Sequence, residues 1–130
     1  VDVAIMSAAV SDYKPTNVAA QKIKKKTENL TIKLSPTTDI LSQMGASKTN
    51  QFLVGFALET ENELEHALTK LKRKNLDAIV LNSLNDQGAG FGTSTNKITF
   101  IDASLKPKEF ALKPKNEVAV DIITEIIARL

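Results

Sequence analysis

Residues 53–81 read LVGFALETENELEHALTKLKRKNLDAIVL, and this stretch decides the fold. Its two ends, Leu53–Ala57 and Ala78–Leu81, are short and continuously apolar, which is typical of strands buried on both faces of a sheet. Between them, Glu61–Asn75 places its apolar residues on one face of a helix, and residues 60–63 (TENE) predict a capping box at its start. Strand, helix and strand within about thirty residues predict a right-handed βαβ unit and therefore a parallel sheet.

Shorter patterns on either side of this unit complete the predicted sheet. The run Val3–Met6 predicts another buried strand, and Asp39–Lys48 predicts a short helix before the next strand. The polar, glycine-bearing residues 82–96 predict a loop. Two later runs, Ile98–Ile101 and Glu109–Leu112, predict an antiparallel edge hairpin, and an amphipathic helix closes the chain. The predicted fold class is therefore α/β and Rossmann-like, with a mostly parallel sheet, helices on both faces and an antiparallel edge hairpin.

A polar, lysine-rich arm interrupts this pattern. It begins with Tyr13–Lys26, and the alternating run Leu30–Leu34 predicts its return strand, so that a flap is expected at about residues 13–34. Residues 1–130 as a whole predict a single domain, of which this flap is a part. Val1 lies inside an apolar run without an initiator methionine, so we expect the amino-terminal part of this domain to be missing.

Composition excludes several classes of function. The 130 residues carry 17 basic and 15 acidic side chains, and a net charge of +2 gives no support for nucleic-acid binding. Without cysteine there is no zinc finger, iron–sulfur site or thiol nucleophile, and one histidine excludes a histidine metal cluster. We therefore predict no metal ligands. The apolar runs are also too short to cross a membrane.

Two stretches could bind a ligand. Ser7–Ala9 and Asp12 follow the first predicted strand, where small residues let a ligand approach the backbone and a carboxylate can accept hydrogen bonds. The pattern alone favours the alternative, in which the small residues pack under a helix and Asp12 caps a turn. The cluster Lys22–Lys26 holds four lysines in five residues, which suits a polyphosphate. A solvated, self-repelling surface run is the alternative for this cluster.

The order of several short blocks resembles one enzyme family. The blocks are AAVSDYKP at residues 8–15, KIKK at 22–25 and VGFALET at 54–60. They resemble the phosphopantothenoylcysteine synthetase (phosphopantothenate–cysteine ligase) family of coenzyme A biosynthesis, in its bacterial, CTP-dependent type. The resemblance covers essentially the whole chain and corresponds to the carboxyl-terminal part of that domain.

The resemblance implies a ligase that joins 4′-phosphopantothenate to cysteine in the cytoplasm. CTP and Mg²⁺ would convert the carboxylate to an acyl-cytidylate, which the cysteine amine attacks; FMN would be present only if a decarboxylase domain is fused to it. Lys22 resembles the catalytic flap lysine, which would stabilise the pentavalent phosphate. The nucleotide-binding positions implied by the resemblance are Ala8, Asp12, Lys22, Thr38, Asp39, Ile40, Leu41, Phe56, Lys70 and Lys74.

Two positions depart from this simple correspondence. Thr38 stands where bacterial relatives commonly have proline. Lys70 lies deep in its predicted helix, so its position alone places it away from the strand ends. The family's glycine-rich loop and its asparagine that acts on the acyl-cytidylate have no counterpart in these residues, so we expect the 130-residue chain alone to be inactive.

The resemblance also implies a homodimer, and the two predicted edge strands, Ile98–Ile101 and Glu109–Leu112, are candidates for its interface. Two other functions stay open at this point. One is a non-catalytic Rossmann-like nucleotide- or flavin-binding module with surface lysines. The other is a protein that binds polyanions through its lysine-rich arm.

Overall fold

The structure is a computed structural model that describes residues 1–24, 29–86, 88–89 and 92–130. Lys25 and Lys26 of the predicted lysine cluster lie outside the described residues. The chain divides into two compact units, one made of Val1–Ser7 with Leu41–Leu130 and the other of Ala8–Ile40. In chain order, the elements are β1 (Val3–Met6), β2 (Tyr13–Pro15), β3 (Leu34–Pro36), α1 (Ile40–Ser47), β4 (Phe52–Glu59), α2 (Glu63–Arg73), β5 (Ala78–Ser83), β6 (Thr95–Asn96), β7 (Ile98–Asp102), β8 (Lys108–Glu109), β9 (Lys113–Pro114) and α3 (Lys115–Ile127).

The larger unit is built on a five-stranded sheet with the strand order β1-β4-β5-β7-β8. The first three strands are parallel, with Ile5 opposite Val54 and Val54 opposite Ala78. This confirms the predicted βαβ unit and the mostly parallel, Rossmann-like sheet. Strands β4 and β5 are largely buried, whereas β1 is only half-buried and Ile5 is exposed, so the predicted burial of β1 on both faces is wrong for these residues.

The antiparallel half of the sheet differs in detail from the prediction. Strand β7 pairs with β5 on one side and with β8 on the other. The hairpin is therefore confirmed, but Ile98–Ile101 lies in an inner strand rather than an edge strand. Its outer partner is only Lys108–Glu109, so the predicted strand Glu109–Leu112 is wrong over most of its length. Backbone groups available for pairing with a second chain occur at β8 and not at β7.

Helices cover both faces of this sheet, as predicted. On one face, Leu53 and Ile79 pack with the α2 residues Ala67 and Leu71, and α1 adds Leu41 at the margin. On the other face, the buried residues come from β4, β5, β7 and α3, and they are Val54, Ala78, Val80, Ile98, Phe100, Val118, Ile122 and Ile126. In the part of the chain described here, no helix is long and apolar enough to cross a membrane.

The start of α2 differs from the predicted capping box. Asn62 occupies the N-cap position with φ of 45°, and no side chain caps the helix. Glu63 instead accepts hydrogen bonds from Ser83 Oγ at 2.5 Å and from Asn85 Nδ2 at 2.9 Å. Because the Glu63 carboxylate binds residues at the end of β5, it ties α2 to that strand rather than closing its own first turn.

A close contact joins α1 to the end of α2. Gly45 is buried, and a Cβ at this position would lie 1.8 Å from the carbonyl oxygen of Lys74. Asn75, with φ of 51°, follows the C-cap residue of α2 and donates from Nδ2 to the Gly45 carbonyl at 2.8 Å. Only a glycine lets the two backbones approach this closely.

Charged groups fix α3 to the antiparallel strands. Glu125, 8% exposed, accepts hydrogen bonds from Lys108 at 2.5 Å and from Arg129 at 3.0 Å. Arg129 also bonds Asp102 at 2.6 Å and lies over the Phe100 ring at 4.9 Å. The hydrogen bond from Lys108 lowers the pKa of Glu125, and the bond from Arg129 adds to this effect against the opposing effect of burial.

The segment predicted as a loop over residues 82–96 is partly structured. Strand β5 continues through Asn82 and Ser83, and β6 pairs antiparallel with β9. Within the described residues, Asn96 Nδ2 donates to Asn82 Oδ1 at 3.1 Å. Strands β6 and β9 are polar and only two residues long, so they lack the apolar alternation that predicts a strand.

The smaller unit contains the antiparallel hairpin β2–β3, in which Tyr13 lies opposite Pro36 and Pro15 opposite Leu34. The Thr16 amide donates to the Lys33 carbonyl at 2.9 Å and extends the pairing by one step. A return strand of the arm is therefore present, but it begins at Leu34 rather than ending there.

Candidate functional site

One end of the hairpin β2–β3 brings together predicted site residues that are far apart in the sequence. The Thr37 amide donates to the Asp12 carbonyl at 2.9 Å, and Thr37 Oγ1 donates to the Ser11 carbonyl at 2.5 Å. Thr38 and Asp39 follow directly, so the Asp12 segment and the 38–39 segment are neighbours within the smaller unit. Both segments are exposed, so Asp12, Thr38 and Asp39 are open to a ligand.

Lys22 lies in the connection between β2 and β3, beyond the last residue pair of the hairpin on that side. Its side chain is exposed, and so is that of Lys24. Neither lysine lies in a helix or strand. The backbone at Lys22 is therefore not fixed by a regular element, which suits a group that has to approach a mobile phosphate chain.

In the larger unit, Lys70 is bound to the backbone of β4. The Phe52 amide donates to the Asp2 carbonyl, so the backbone groups of Phe52 and, by strand alternation, of Phe56 point toward β1. Strand β1 ends at Met6, one residue before the position that would lie opposite Phe56. The Phe56 carbonyl lies beyond that end, and Lys70 Nζ donates to it at 2.7 Å.

This contact corrects the expectation that Lys70 is too far from the strand ends. The helix begins at Glu63, two residues later than predicted, and the long side chain of Lys70 reaches the carboxyl half of β4. The structure therefore brings Lys70 together with Phe56, another predicted site residue. Lys74 is the C-cap residue of α2, one turn further along, and its amide donates to the Lys70 carbonyl at 3.0 Å.

Three further predicted positions differ in how accessible they are. Ala8 is exposed and accepts a hydrogen bond from the Val10 amide in a turn. Ile40, the first residue of α1, is 44% exposed. Leu41 packs against the core, and its Cδ2 lies 2.9 Å from where a Cβ on Gly55 would stand. The side chain of Leu41 therefore has a packing role. The predicted site residues thus fall into two groups, one in each unit.

A polar cluster that the sequence analysis missed surrounds the carboxyl end of β5. Asn85 Nδ2 donates to the Thr60 carbonyl at 2.8 Å as well as to Glu63, and the Asn85 amide donates to Ser83 Oγ at 3.0 Å. Glu63, Ser83 and Asn85 line a cavity of about 250 Å³, to which Lys97 also contributes. The run SLND at residues 83–86, placed directly after a buried strand, was the available signal.

Lys97 carries the positive charge of this cavity. Its ammonium group donates to Asp86 Oδ1 at 2.9 Å, and this hydrogen bond and the charge of Asp86 raise the pKa of Lys97. Lys97 pairs with Asp86, and Glu63 accepts hydrogen bonds from Ser83 and Asn85, so the cluster fixes the loops after β4 and β5.

The described residues contain no group of three or more histidine, cysteine, aspartate or glutamate side chains that could hold a metal ion. Mg²⁺ is usually bound by one or two carboxylates together with water and substrate phosphates rather than by a cage of protein ligands.

Comparison with known proteins identifies the family. Residues 1–130 match the family described as the DNA/pantothenate metabolism flavoprotein C-terminal domain. The chain belongs to this family. The match covers the chain from end to end, so the resemblance to phosphopantothenoylcysteine synthetase inferred from the three sequence blocks is confirmed.

Two relatives show how much of a longer protein the chain represents. It is 54% identical over 127 residues to a protein named cysteine/cysteine sulfinic acid decarboxylase from an unknown prokaryotic organism, covering 97% of the chain and 35% of that protein. It is 41% identical over 127 residues to the coenzyme A biosynthesis bifunctional protein CoaBC of Bacillus subtilis, covering 98% of the chain and 31% of that protein. The chain therefore spans about a third of the curated relatives it matches.

Solved structures confirm the fold. The crystal structure of the C-terminal domain of CoaBC matches with a TM-score of 0.74 and 37% identity, covering 97% of the chain and 53% of that structure. A mutant of Cab2 in complex with phosphopantothenate-cysteine matches with a TM-score of 0.70 and 25% identity, covering 95% of the chain and 42% of that structure. Residues 1–130 thus correspond to about half of a larger solved domain.

Proposed function

We propose that the chain is the nucleotide-binding part of a ligase that joins 4′-phosphopantothenate and cysteine through an acyl-cytidylate formed from CTP. The observation that supports this most is the family match over residues 1–130, together with a similar fold that holds phosphopantothenate-cysteine. That bound molecule is the product of the proposed reaction. The related CoaBC proteins are enzymes of coenzyme A biosynthesis.

The proposed reaction has two steps. A carboxylate oxygen of phosphopantothenate attacks the α-phosphorus of CTP, the bond to the β-phosphate breaks, and pyrophosphate leaves. The cysteine amine then attacks the acyl carbon, an amide forms with loss of a proton, and CMP leaves. The first step concentrates negative charge on a five-coordinate phosphorus, so a mobile ammonium group lowers its barrier most.

Lys22 is our candidate for that group, because its side chain is exposed and the residue lies outside the helices and strands of the described residues. Asp12, Thr38 and Asp39, gathered at one end of the hairpin, would bind the nucleoside through hydrogen-bond acceptors and donors. The remaining nucleotide contacts in the proposal are Ala8, Ile40, Leu41, Phe56, Lys70 and Lys74. For Leu41 the contact would come from its backbone, since its side chain packs in the core.

No step is assigned to a protein-bound magnesium ion. A magnesium ion used in the reaction would arrive with the phosphates of CTP. FMN belongs to the proposal only where a decarboxylase domain accompanies the ligase, and we assign no residue of this chain to it.

The proposal is tested by replacing Lys22 with alanine in a chain that contains the complete synthetase domain. Removing one charge stabiliser from a transition state lowers the rate by about 100-fold to 1000-fold. We expect a loss of this size in pyrophosphate release from CTP and phosphopantothenate, before cysteine is added. Folding of the variant is checked by circular dichroism.

Lys24→Ala is the matched control, because Lys24 is equally exposed, two residues away and of the same charge. We expect this variant to keep its rate within a few-fold of the parent. Wild-type pyrophosphate release by Lys22→Ala, or an equal loss in both variants, would remove the catalytic role of Lys22. Nucleotide binding without any pyrophosphate release by the parent would favour a non-catalytic binding module instead.

Three further parts of the proposal concern the whole enzyme. We propose that it is a cytoplasmic homodimer, in which β8 offers one of the two unpaired strand edges of the sheet. Light scattering at micromolar concentration tests its mass. We also propose that residues 1–130 alone give no amide product, because positioning two reactants contributes on the order of 7–11 kcal/mol to such a reaction. Measurable turnover by the 130-residue chain would refute this last part.

A further inference from the structure

The single histidine of the chain, His66, lies in a row of basic side chains on α2. His66, Lys70 and Lys74 follow one another four residues apart, so they lie along one side of the helix, and we name them the basic row. Helix α2 begins shortly after β4 ends, so its first turn lies at the carboxyl end of that strand. At 1.5 Å per residue, His66 is about 6 Å nearer this end than Lys70. Because ligands of open α/β sheets bind at the carboxyl ends of the strands, His66 lies closer to such a ligand than the backbone of either lysine does.

The last residue of β4 contacts the His66 ring. His66 Nδ1 lies 3.4 Å from Glu59 Oε2. Phe56, whose carbonyl accepts the hydrogen bond from Lys70, lies three residues earlier on the same strand. Both basic residues therefore contact the last four residues of β4. The side chain of His66 is 52% exposed and that of Glu59 only 25%, so the ring stays accessible to a ligand while it contacts the carboxylate.

The contact with Glu59 determines what the other ring nitrogen can do. A carboxylate only accepts hydrogen bonds, so the pairing places a proton on Nδ1 of His66. In the neutral ring Nε2 then carries a lone pair, and it offers no donor to ionised phosphate oxygens, which are acceptors too. Protonation turns Nε2 into a second donor and adds a positive charge, and hydrogen bonds with charged partners are about twice as strong as neutral ones.

The charged groups around His66 come from α2 and β4. Glu63, three residues earlier on α2, is bound at the end of β5 by its hydrogen bonds there. Lys70, one turn later, is bound to the backbone of β4, and Glu65 lies about 100° around the helix from His66. Strand β5, which also packs against α2, contains no charged residue. Among these groups Glu59 is the one that contacts the ring, and a protonated ring offsets the repulsion of an anion by this carboxylate.

We propose that His66 is a further anion-binding residue of the nucleotide site, and that its protonated ring donates from Nε2 to a phosphate of CTP while Glu59 holds Nδ1. The inference rests on the proposed function, which supplies the nucleotide and the roles of Phe56, Lys70 and Lys74. Histidine changes its charge between pH 5 and pH 8, whereas a lysine stays charged throughout this range. Binding of the phosphate favours the protonated ring, so the affinity for CTP rises as the pH falls through the titration of His66.

Calorimetry at about pH 5.5 and pH 8 tests this inference in a chain that contains the complete synthetase domain. The ratio of the CTP dissociation constants at the two pH values is measured for the parent and for His66→Gln. CTP itself gains a proton over this range, so the comparison of the two ratios isolates the effect of His66. On going to the lower pH, the parent should gain about threefold to tenfold more affinity than His66→Gln does.

Two further variants and a second ligand sharpen the test. His66→Lys keeps its charge at both pH values, so at pH 8 it should bind CTP about threefold to tenfold more tightly than the parent. Glu65→Gln is the matched control, because Glu65 is exposed, adjacent on α2 and outside the basic row, and this variant should keep the parent's ratio. Cytidine has no phosphate, so the parent and His66→Gln should bind it with the same pH dependence.

Equal CTP ratios for the parent and His66→Gln would overturn the inference and leave the proposed function standing. An equal change with cytidine would also overturn it, because His66 would then act on the nucleoside rather than on the phosphates. Circular dichroism checks the folding of each variant. If His66→Gln does not fold, His66→Lys decides, and an affinity at pH 8 no higher than the parent's would overturn the inference. Failure of the parent to bind CTP at either pH would overturn the proposed function and this inference with it.

Discussion

Replacing Gly45 with alanine should lower the free energy of unfolding by about 1–3 kcal/mol, although alanine is the better helix former. The new Cβ would lie 1.8 Å from the Lys74 carbonyl oxygen, whereas an ordinary carbon–oxygen contact is about 3.3 Å. The contact atom is backbone, so a side-chain rotation cannot relieve it. Helix α1 and the end of α2 would have to separate by about 1.5 Å.

Three contributions give this magnitude. Overpacking a buried position typically costs about 1–3 kcal/mol. Separation of the two backbones also breaks the hydrogen bond from Asn75 Nδ2 to the Gly45 carbonyl, which contributes about 1 kcal/mol. Alanine returns about 1 kcal/mol through its higher helix propensity.

Urea unfolding followed by circular dichroism measures the effect, and the midpoint should fall by about 1 M. The control is Ala46→Gly at the adjacent exposed position, which changes helix propensity in the opposite direction without affecting the contact with Lys74. That variant should lose no more than about 1 kcal/mol. If Gly45→Ala were as stable as the parent or more stable, the close approach of the two helices would be refuted.

Two further changes test the ion pairs. The lowered pKa of Glu125 means that its contribution to stability is present above the unfolded-state value of about 4.5 and is lost as the pH falls through the folded-state value. Glu125→Gln should therefore lower the melting temperature at neutral pH and progressively less in acid; a constant difference would contradict the assignment. Asp77→Ala should cost about 1–3 kcal/mol in urea unfolding, because it leaves the buried Leu53 amide without its acceptor at 2.7 Å. Lys48→Met, which keeps that acceptor, should cost less, and equal losses would contradict this reasoning.

The central part of the fold follows from local pattern. Leu53–Ala57 and Ala78–Leu81 are continuously apolar, and in the structure they form the buried strands β4 and β5. The helix between them was predicted over Glu61–Asn75 and observed over Glu63–Arg73. These elements are predictable because each one shows its burial in its own residues, without reference to a distant partner.

Features that depend on distant partners were not predictable. Glu63 was expected to cap its own helix, but Ser83 and Asn85, some twenty residues later, take its carboxylate instead. The hydrogen bond that Lys70 makes to β4 depends on where β1 ends along that strand. Only the register of the two strands defines this position. Local spacing contains neither piece of information.

The candidate site was likewise predictable only in part. The sequence blocks indicated the correct family, yet they did not indicate that Asp12 and Thr38 become neighbours through the hairpin β2–β3. The polar run after β5 predicts only a loop, because its partners Thr60 and Glu63 are more than twenty residues away and local pattern does not reveal them. The family resemblance identified the candidate residues, whereas the pairing of strands determined which of them lie close together.

The parallel pairing of β1 with β4 has a consequence for how freely the segment between them can vary. Ile5 pairs with Val54, 49 positions later, whereas Val54 pairs with Ala78 only 24 positions later. The entropy of closing a loop grows with the logarithm of its length, so this doubling costs only about 0.6 kcal/mol. Insertions and deletions within Ala8–Ile40 therefore add little to the cost of pairing β1 with β4.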